Sequence, residues 1–309
     1  MQAFYADHFV LPLPPGHRFP MAKYALLRDA LILACPELEL QEAPACSDEE
    51  LLLVHSGAYV DAVRHGRLSE DQQRAIGFPW SAAMAERSRR SVGGTVAAAF
   101  AALQDGMAAN LAGGTHHAYP DSGSGFCVFN DLAVAARGAQ ALWGQSHSTA
   151  LPVLIVDLDV HQGNGTAHIF ADDASVFTLS VHGENNFPFR KEHSDLDVAL
   201  PDGCDDALYL LALSDALAEV EQRFSPGLVL YQAGVDPSEL DRLGRLKLSA
   251  AGLQQRDRMV FEWCETHRYP VALTMGGGYA NRIEDTVQLQ VNTYREALRC
   301  WRRWHNLVP

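Results

Sequence analysis

The sequence predicts an α/β protein built on one parallel sheet, and two observations predict it. Short apolar, β-branched runs at 152–160, 175–181, 227–232 and 271–275, with a weaker one at 108–112, alternate with longer stretches of helical periodicity. Runs of this kind, apolar at every position, are the signature of strands buried on both faces, as in a parallel sheet covered by helices. Four of the runs end in glycine and a reactive side chain, and open parallel sheets bind ligands in the crevice beyond the carboxyl ends of their strands. Four such ends predict one shared site.

The elements between follow in order. Residues 22–35 carry helical periodicity, and 48–65 form a second amphipathic stretch. Residues 81–104 are Ala-rich with a basic face expected in solvent, and are helical in expectation despite Gly93 and Gly94. Residues 130–143 and 205–223 also read as helices. No repeat or low-complexity linker divides the chain, so residues 1–309 are read as a single domain.

Composition sets the class. Hydrophobic residues make up 48% and charged residues 20%, as in ordinary globular proteins. The net charge of −14 argues against direct nucleic-acid binding and against an anionic membrane surface. It favours a cationic partner, though an acidic surface also serves solubility alone. The six cysteines are scattered with no CxxC pair, which points to reduced thiols rather than a thiolate metal site or a disulfide framework. No apolar run approaches the roughly 18 residues of a membrane span. The first residues also lack a basic segment followed by an apolar one, so a cytoplasmic location is expected.

The chemistry lies in the strand ends. Gly113 and Gly114 lead into His116 and His117, a pair that would be unremarkable on a surface loop but gains meaning at a strand end. Asp157, Asp159 and His161 alternate along an apolar run, and in an extended chain i, i+2 and i+4 point the same way. Unpaired buried carboxylates are costly, so turn capping explains one of them and divalent-metal ligation explains the group. Asp236 is either a turn residue before Pro237 or a further ligand. Tyr279 follows three glycines, where it either packs on the sheet or stands over a closely approached cavity. An open metal position beside a histidine base is a hydrolytic site.

GGTHHA (113–118), GFCVFND (125–131), VDLDVHQGNGT (156–166), QAGVDP (232–237) and GGGY (276–279) resemble the histone deacetylase family in order and spacing over nearly the whole chain. IGFPWS, QGNGT and HGENNFPF are most similar to its class IV branch and related bacterial proteins. The resemblance implies the arginase/deacetylase fold, with a central, mostly parallel sheet of about eight strands flanked by helices. It implies zinc, with iron(II) as the other candidate, on Asp159, His161 and Asp236. His117 and His116 take the base and acid roles and Tyr279 polarises the carbonyl. It further implies that Asp157 supports His116 and also shares a potassium-type site with Ser180 and the backbone of Val181, and that a substrate channel lies at Gly125, Phe126, Phe187, Gly277 and Gly278. The partner of His117, an aspartate in many members, is Asn164 here, as in class IV.

The implied reaction is hydrolysis of an N-acyl amide, with N-ε-acyl-lysine in a protein or peptide as the substrate. The competing expectations are an acylated small amine such as an acylpolyamine, or an acyl-amine binding protein without turnover. The Asn- and Phe-rich run 182–189 is expected at the channel rim, where it would accept a long acyl chain.

Overall fold

The computed structural model describes residues 1–307. Eight strands form one all-parallel sheet: β1 (Gln2–Tyr5), β2 (Glu39–Glu42), β3 (Met107–Asn110), β4 (Val153–Asp157), β5 (Val176–Gly183), β6 (Leu196–Leu200), β7 (Leu228–Gln232) and β8 (Val271–Thr274). Their spatial order is β2-β1-β3-β8-β7-β4-β5-β6. The five predicted runs are β3, β4, β5, β7 and β8, all of them interior to the sheet. The three without a sequence signal are β1, only four residues long, and the edge strands β2 and β6, whose exposed and half-buried residues (as in ELQE and LDVAL) break the apolar run.

Along the interior strands, alternate residues enter two separate cores. Val153 and Ile155 of β4 join one, while Leu154 and Val156 join the other; Leu228 and Leu230 of β7 part from Val229 and Tyr231 in the same way. One face is covered by α1 (Lys23–Ala34), α8 (Asp206–Arg223), α9 (Ala250–His267) and α10 (Ile283–Trp304). The other carries α2 (Asp48–Leu51), α3 (Gly57–His65), α4 (Glu70–Ile76), α5 (Ala82–Asp105), α6 (Asp131–Gly144) and α7 (Asn164–Phe170).

The predicted stretch 48–65 is two helices. Ser47 closes a capping box over α2 and Ser56 caps α3, so the chain restarts its helix at the second serine. The uninterrupted α5 passes through Gly93 and Gly94 because a Cβ at either would strike the backbone of Pro44 or the side chain of Asn110. Its basic face is not all in solvent: Arg89 and Arg90 pair with acidic groups, but Arg87 is buried.

The strand order places the site. The chain runs outward through β4, β5 and β6, then returns to the other side of β4 as β7. The loops after β4 and β7 therefore diverge from adjacent strands, opening the crevice in which doubly wound sheets bind ligands. Among the described residues, no helix is long and apolar enough to cross a membrane.

Candidate metal and acyl-transfer site

Asp159, His161 and Asp236 leave this switch point. β4 ends at Asp157, so the carboxylate and imidazole are brought together by the bend after the strand and not by strand alternation. Asp157 parts from them accordingly. One ligand-capable atom from each of Asp159, His161 and Asp236 lies within 4.8 Å of the others. Asp236 Oδ1 accepts from the backbone N–H of Val160 (2.9 Å), tying the two loops, while its buried Oδ2 makes no hydrogen bond among the described residues. His161 Nδ1 stands 2.9 Å from Asp159 Oδ1 and 3.4 Å from Asp236 Oδ2.

The electrostatics call for a cation. Burial, then the neighbouring Asp159 charge, push Asp236 up to about 7. Burial acts in the same sense on Asp159, but the charges of His116 and His161 outweigh it and hold that carboxyl below its usual range. Two buried carboxylates, one with an orphaned oxygen, beside an imidazole make a donor set that fits a divalent zinc or iron-type ion. The glycine after β8 admits this arrangement: Gly277 has φ +63°, and a Cβ there would strike the Asp236 carboxylate.

His116 and His117 follow β3 with ring centroids 4.1 Å apart and differ in their partners. His116 Nδ1–H donates to Asp157 Oδ2 (2.6 Å). Burial lowers its pKa, but the Asp157 and Asp159 charges prevail and raise it to about 9. His117 Nδ1–H donates to Asn164 Oδ1 (2.6 Å), leaving Nε2 as an acceptor. Burial, followed by the charges of His116 and His161, holds His117 well below the ordinary histidine range. Asn164 Nδ2 donates in turn to Tyr119 Oη (2.9 Å), which donates to Glu192 Oε1 (3.1 Å).

A cavity of about 690 Å³ joins these groups to solvent. Gly125, Phe126 and Phe187 line it, and Phe187 meets His117 edge-on at 4.9 Å between centroids. Phe126 holds the wall in a left-handed conformation (φ 66°), which a phenylalanine adopts only when its surroundings impose it. Asn185, Asn186 and Phe189 of the expected rim also reach the cavity, while His182 turns away to bond Ser180 Oγ (3.0 Å). Tyr279 is buried beside the cavity, and its hydroxyl has no hydrogen-bond partner among the described residues. Burial keeps its pKa well above the ordinary tyrosine value, so the phenol stays a donor. Of the two expected glycines, Gly277 lines the cavity; Gly278 does not, because it packs against Thr286 and Val235. Asp157 and Ser180 are register partners on β4 and β5, side by side, and Val181 turns its side chain into the core.

Several supporting residues carried no sequence signal of their own. Asp131, the last residue of GFCVFND, accepts from Thr95 Oγ1, Gly114 N, Thr115 N and Thr115 Oγ1, fixing the loop that presents the two histidines. As a first-turn acid of α6 it has an ordinary role that gives no hint of this. His55 Nε2 accepts from Asn130 N (3.0 Å), and Asn130 Nδ2 donates to Ala118 O (3.1 Å) just past the pair. Arg256, fully buried in α9, donates through Nη1 to the carbonyls of Leu158 and Gly234 at 3.2 and 2.6 Å, bracing both loops of the switch point. Asp241 and Arg242 pin the backbone of Tyr279.

The histone deacetylase domain matches residues 17–294. The chain is 47% identical over 297 residues to an uncharacterized protein of Picosynechococcus, covering 95% of this chain and 97% of that one. It is 32% identical over 265 residues to Histone deacetylase 2 of Arabidopsis thaliana (82% and 67%), and 30% identical over 291 residues to the acetoin utilization protein AcuC of Staphylococcus aureus (86% and 73%). Among solved structures, an HDAC homolog from Aquifex aeolicus superposes with a TM-score of 0.81 at 27% identity, over 96% of this chain and 83% of its own. An HDAC homolog complexed with SAHA matches equally well. With that domain match, that fold and those relatives, the chain belongs to the histone deacetylase family of hydrolases.

Proposed function

We propose that this enzyme hydrolyses N-ε-acyl-lysine in proteins or peptides, with zinc held by Asp159, His161 and Asp236. The observation that carries the reading is the orphaned Asp236 oxygen in a buried carboxylate–carboxylate–imidazole group, facing the same cavity as two histidines and an unpartnered phenol. When bound there, the ion supplies Lewis acidity toward a carbonyl and lowers the pKa of water.

The remaining work falls to side chains. Phe126 and Phe187 pack the lysine methylenes and exclude water. His117, neutral and with Nε2 free, accepts the proton of the attacking water. His116 holds a proton at neutral pH, stabilises the developing negative charge and is the donor for the leaving amine. The Tyr279 hydroxyl, protonated and unpaired, donates to the oxyanion. Asn164 in place of a carboxylate aligns the chain with the class IV branch, and the adjacency of Asp157 and Ser180 supports a monovalent cation site that includes the Val181 carbonyl. Six free, buried cysteines support a reducing, cytoplasmic setting.

Zinc loading and turnover of an acyl-lysine peptide test the reading. Asp159→Ala should lose zinc by elemental analysis and all turnover while keeping its circular dichroism spectrum. Full zinc occupancy in that variant would refute the ligand set, and zinc-loaded wild-type protein inert on every acyl-lysine peptide would refute the substrate class.

A further inference from the structure

The cavity extends past the histidine pair to Lys23 and Tyr24 of α1 and Arg87 of α5. Lys23 is 1% exposed and Arg87 5%. Arg87 donates no hydrogen bond to any described residue, and its Nη1 is fully buried without a partner. The Lys23 ammonium donates to the Gly277 carbonyl and otherwise faces aromatic rings, 5.2 Å from the centroids of both Tyr24 and Tyr279. The Arg87 guanidinium lies 4.7 Å from the Tyr24 centroid, so the two cations flank one ring, whose hydroxyl also makes no hydrogen bond among the described residues.

Neither cation pairs with a described carboxylate. The charge of Asp7 reaches Arg87, but Asp7 is itself bound to Arg28, with Oδ2 3.0 Å from Nη1. Burial holds the Arg87 guanidinium below its ordinary pKa, as expected of a cation without a counter-charge. Two desolvated cations without a counter-charge, one of them with an unpartnered Nη1, beside a phenol with no hydrogen-bond partner among the described residues, form a site for an anion.

Resting on the amide-hydrolase reading, we propose that the acyl group of the substrate ends in a carboxylate held by Arg87 and Lys23, so that the preferred substrate class is lysine acylated by a short dicarboxylic acid. Lys23 is bonded to Gly277, the residue that abuts Asp236, so the anion subsite begins within a few bonds of the reacting carbonyl and suits a succinyl- or glutaryl-sized group. A long neutral chain at that end would bury its methylenes against unpaired cations, which runs against the acceptance of long alkyl chains expected from the rim sequence.

The test uses peptides identical except for the acyl group: acetyl, glutaryl, and the terminal amide of glutaryl, which keeps its length and removes its charge. In zinc-loaded enzyme, kcat/KM for glutaryl should exceed that for the amide at least tenfold. Calorimetric binding to the metal-free protein should favour glutaryl in the same order, a readout independent of turnover. Arg87→Gln and Lys23→Gln should each bring the glutaryl-to-amide ratio toward one.

Equal kcat/KM and equal affinity for the two peptides in the wild-type protein would overturn the proposal, whether or not the variants fold. Inhibition by free glutarate with no preference for the glutaryl peptide would also overturn it, assigning the cations to released acid alone. Preferential binding of the glutaryl peptide with no cleavage of any acyl peptide would keep the anion subsite and overturn the amide-hydrolase reading instead.

Discussion

Neighbouring histidines in one loop differ in charge state, one protonated and one neutral. His116 bonds a buried carboxylate and is raised to about 9, whereas His117, whose ring centroid is 4.1 Å away, bonds an amide and is held far below the usual histidine range. Local sequence does not separate them, since both follow the same two glycines and both rings are buried. The partners do, and these come from different points along the β4 loop: Asp157 at the strand end and Asn164 at the first position of α7. The lesson is that an acid and a base can be made from one residue type by what the next layer contributes, since opposite charge raises an imidazole pKa while burial lowers it.

The carboxylate of the Asn164 side is not lost but displaced. Through Tyr119 the hydrogen-bond chain from His117 ends on Glu192, so the base is oriented by a chain whose charge lies three residues from the ring.

The sharpest way to break the contrast is Asp157→Asn, which gives His116 the kind of partner His117 already has. Its pKa should fall below neutrality, and turnover at pH 7 should drop on the order of 10²-fold or more, the usual scale of a lost proton donor. Imidazole NMR titration of zinc-loaded protein checks it, and an unchanged His116 pKa would remove Asp157 as the cause.

A third buried histidine extends the comparison to stability. His55, like His117, has no carboxylate partner: its Nδ1–H donates to Tyr119 O (3.1 Å) while Nε2 accepts from Asn130 N, and burial lowers its pKa to about 4. A depressed histidine is neutral in the folded state and protonates more readily when unfolded. Its contribution is therefore complete above the unfolded value near 6.5 and is lost as pH falls toward 4, amounting to about 3 kcal/mol. Urea unfolding of wild type and His55→Gln across that window should show the wild type losing the larger share; parallel pH dependence would rule the group out.

The reverse substitution, Asn164→Asp, has the smallest expected effect. A charge beside His117 raises its pKa by ~1–3 units. Because the base must be unprotonated, the acidic limb of the pH–rate profile should move to higher pH, lowering activity several-fold at mildly acidic pH. A stationary limb would mean that the asparagine serves orientation alone.

Much of this site was legible in the residues because its chemistry is written in short runs. HH after two glycines, DLDVH at the end of an apolar run and Y after three glycines announce donors at strand ends, and the structure brings them to one cavity. Legibility failed where a residue type has a common ordinary use. Arg87 reads as one of several arginines on an Ala-rich helix, and only the tertiary structure buries it against the ring of Tyr24. Asp131 reads as a first-turn acid, and Arg256 as one arginine in a polar run.

The sequence by itself determined five of the eight strands and their order along the chain, the residue types at their ends and the asparagine beside the second histidine, because these depend on periodicity and local spacing. Only the tertiary structure decided that β7 returns beside β4, and that two cations face the cavity without counter-charges. Those outcomes rest on burial and on charges contributed by residues distant in the chain. Since a pKa or a desolvation cost is set by everything within a few ångströms, no single segment carries that information.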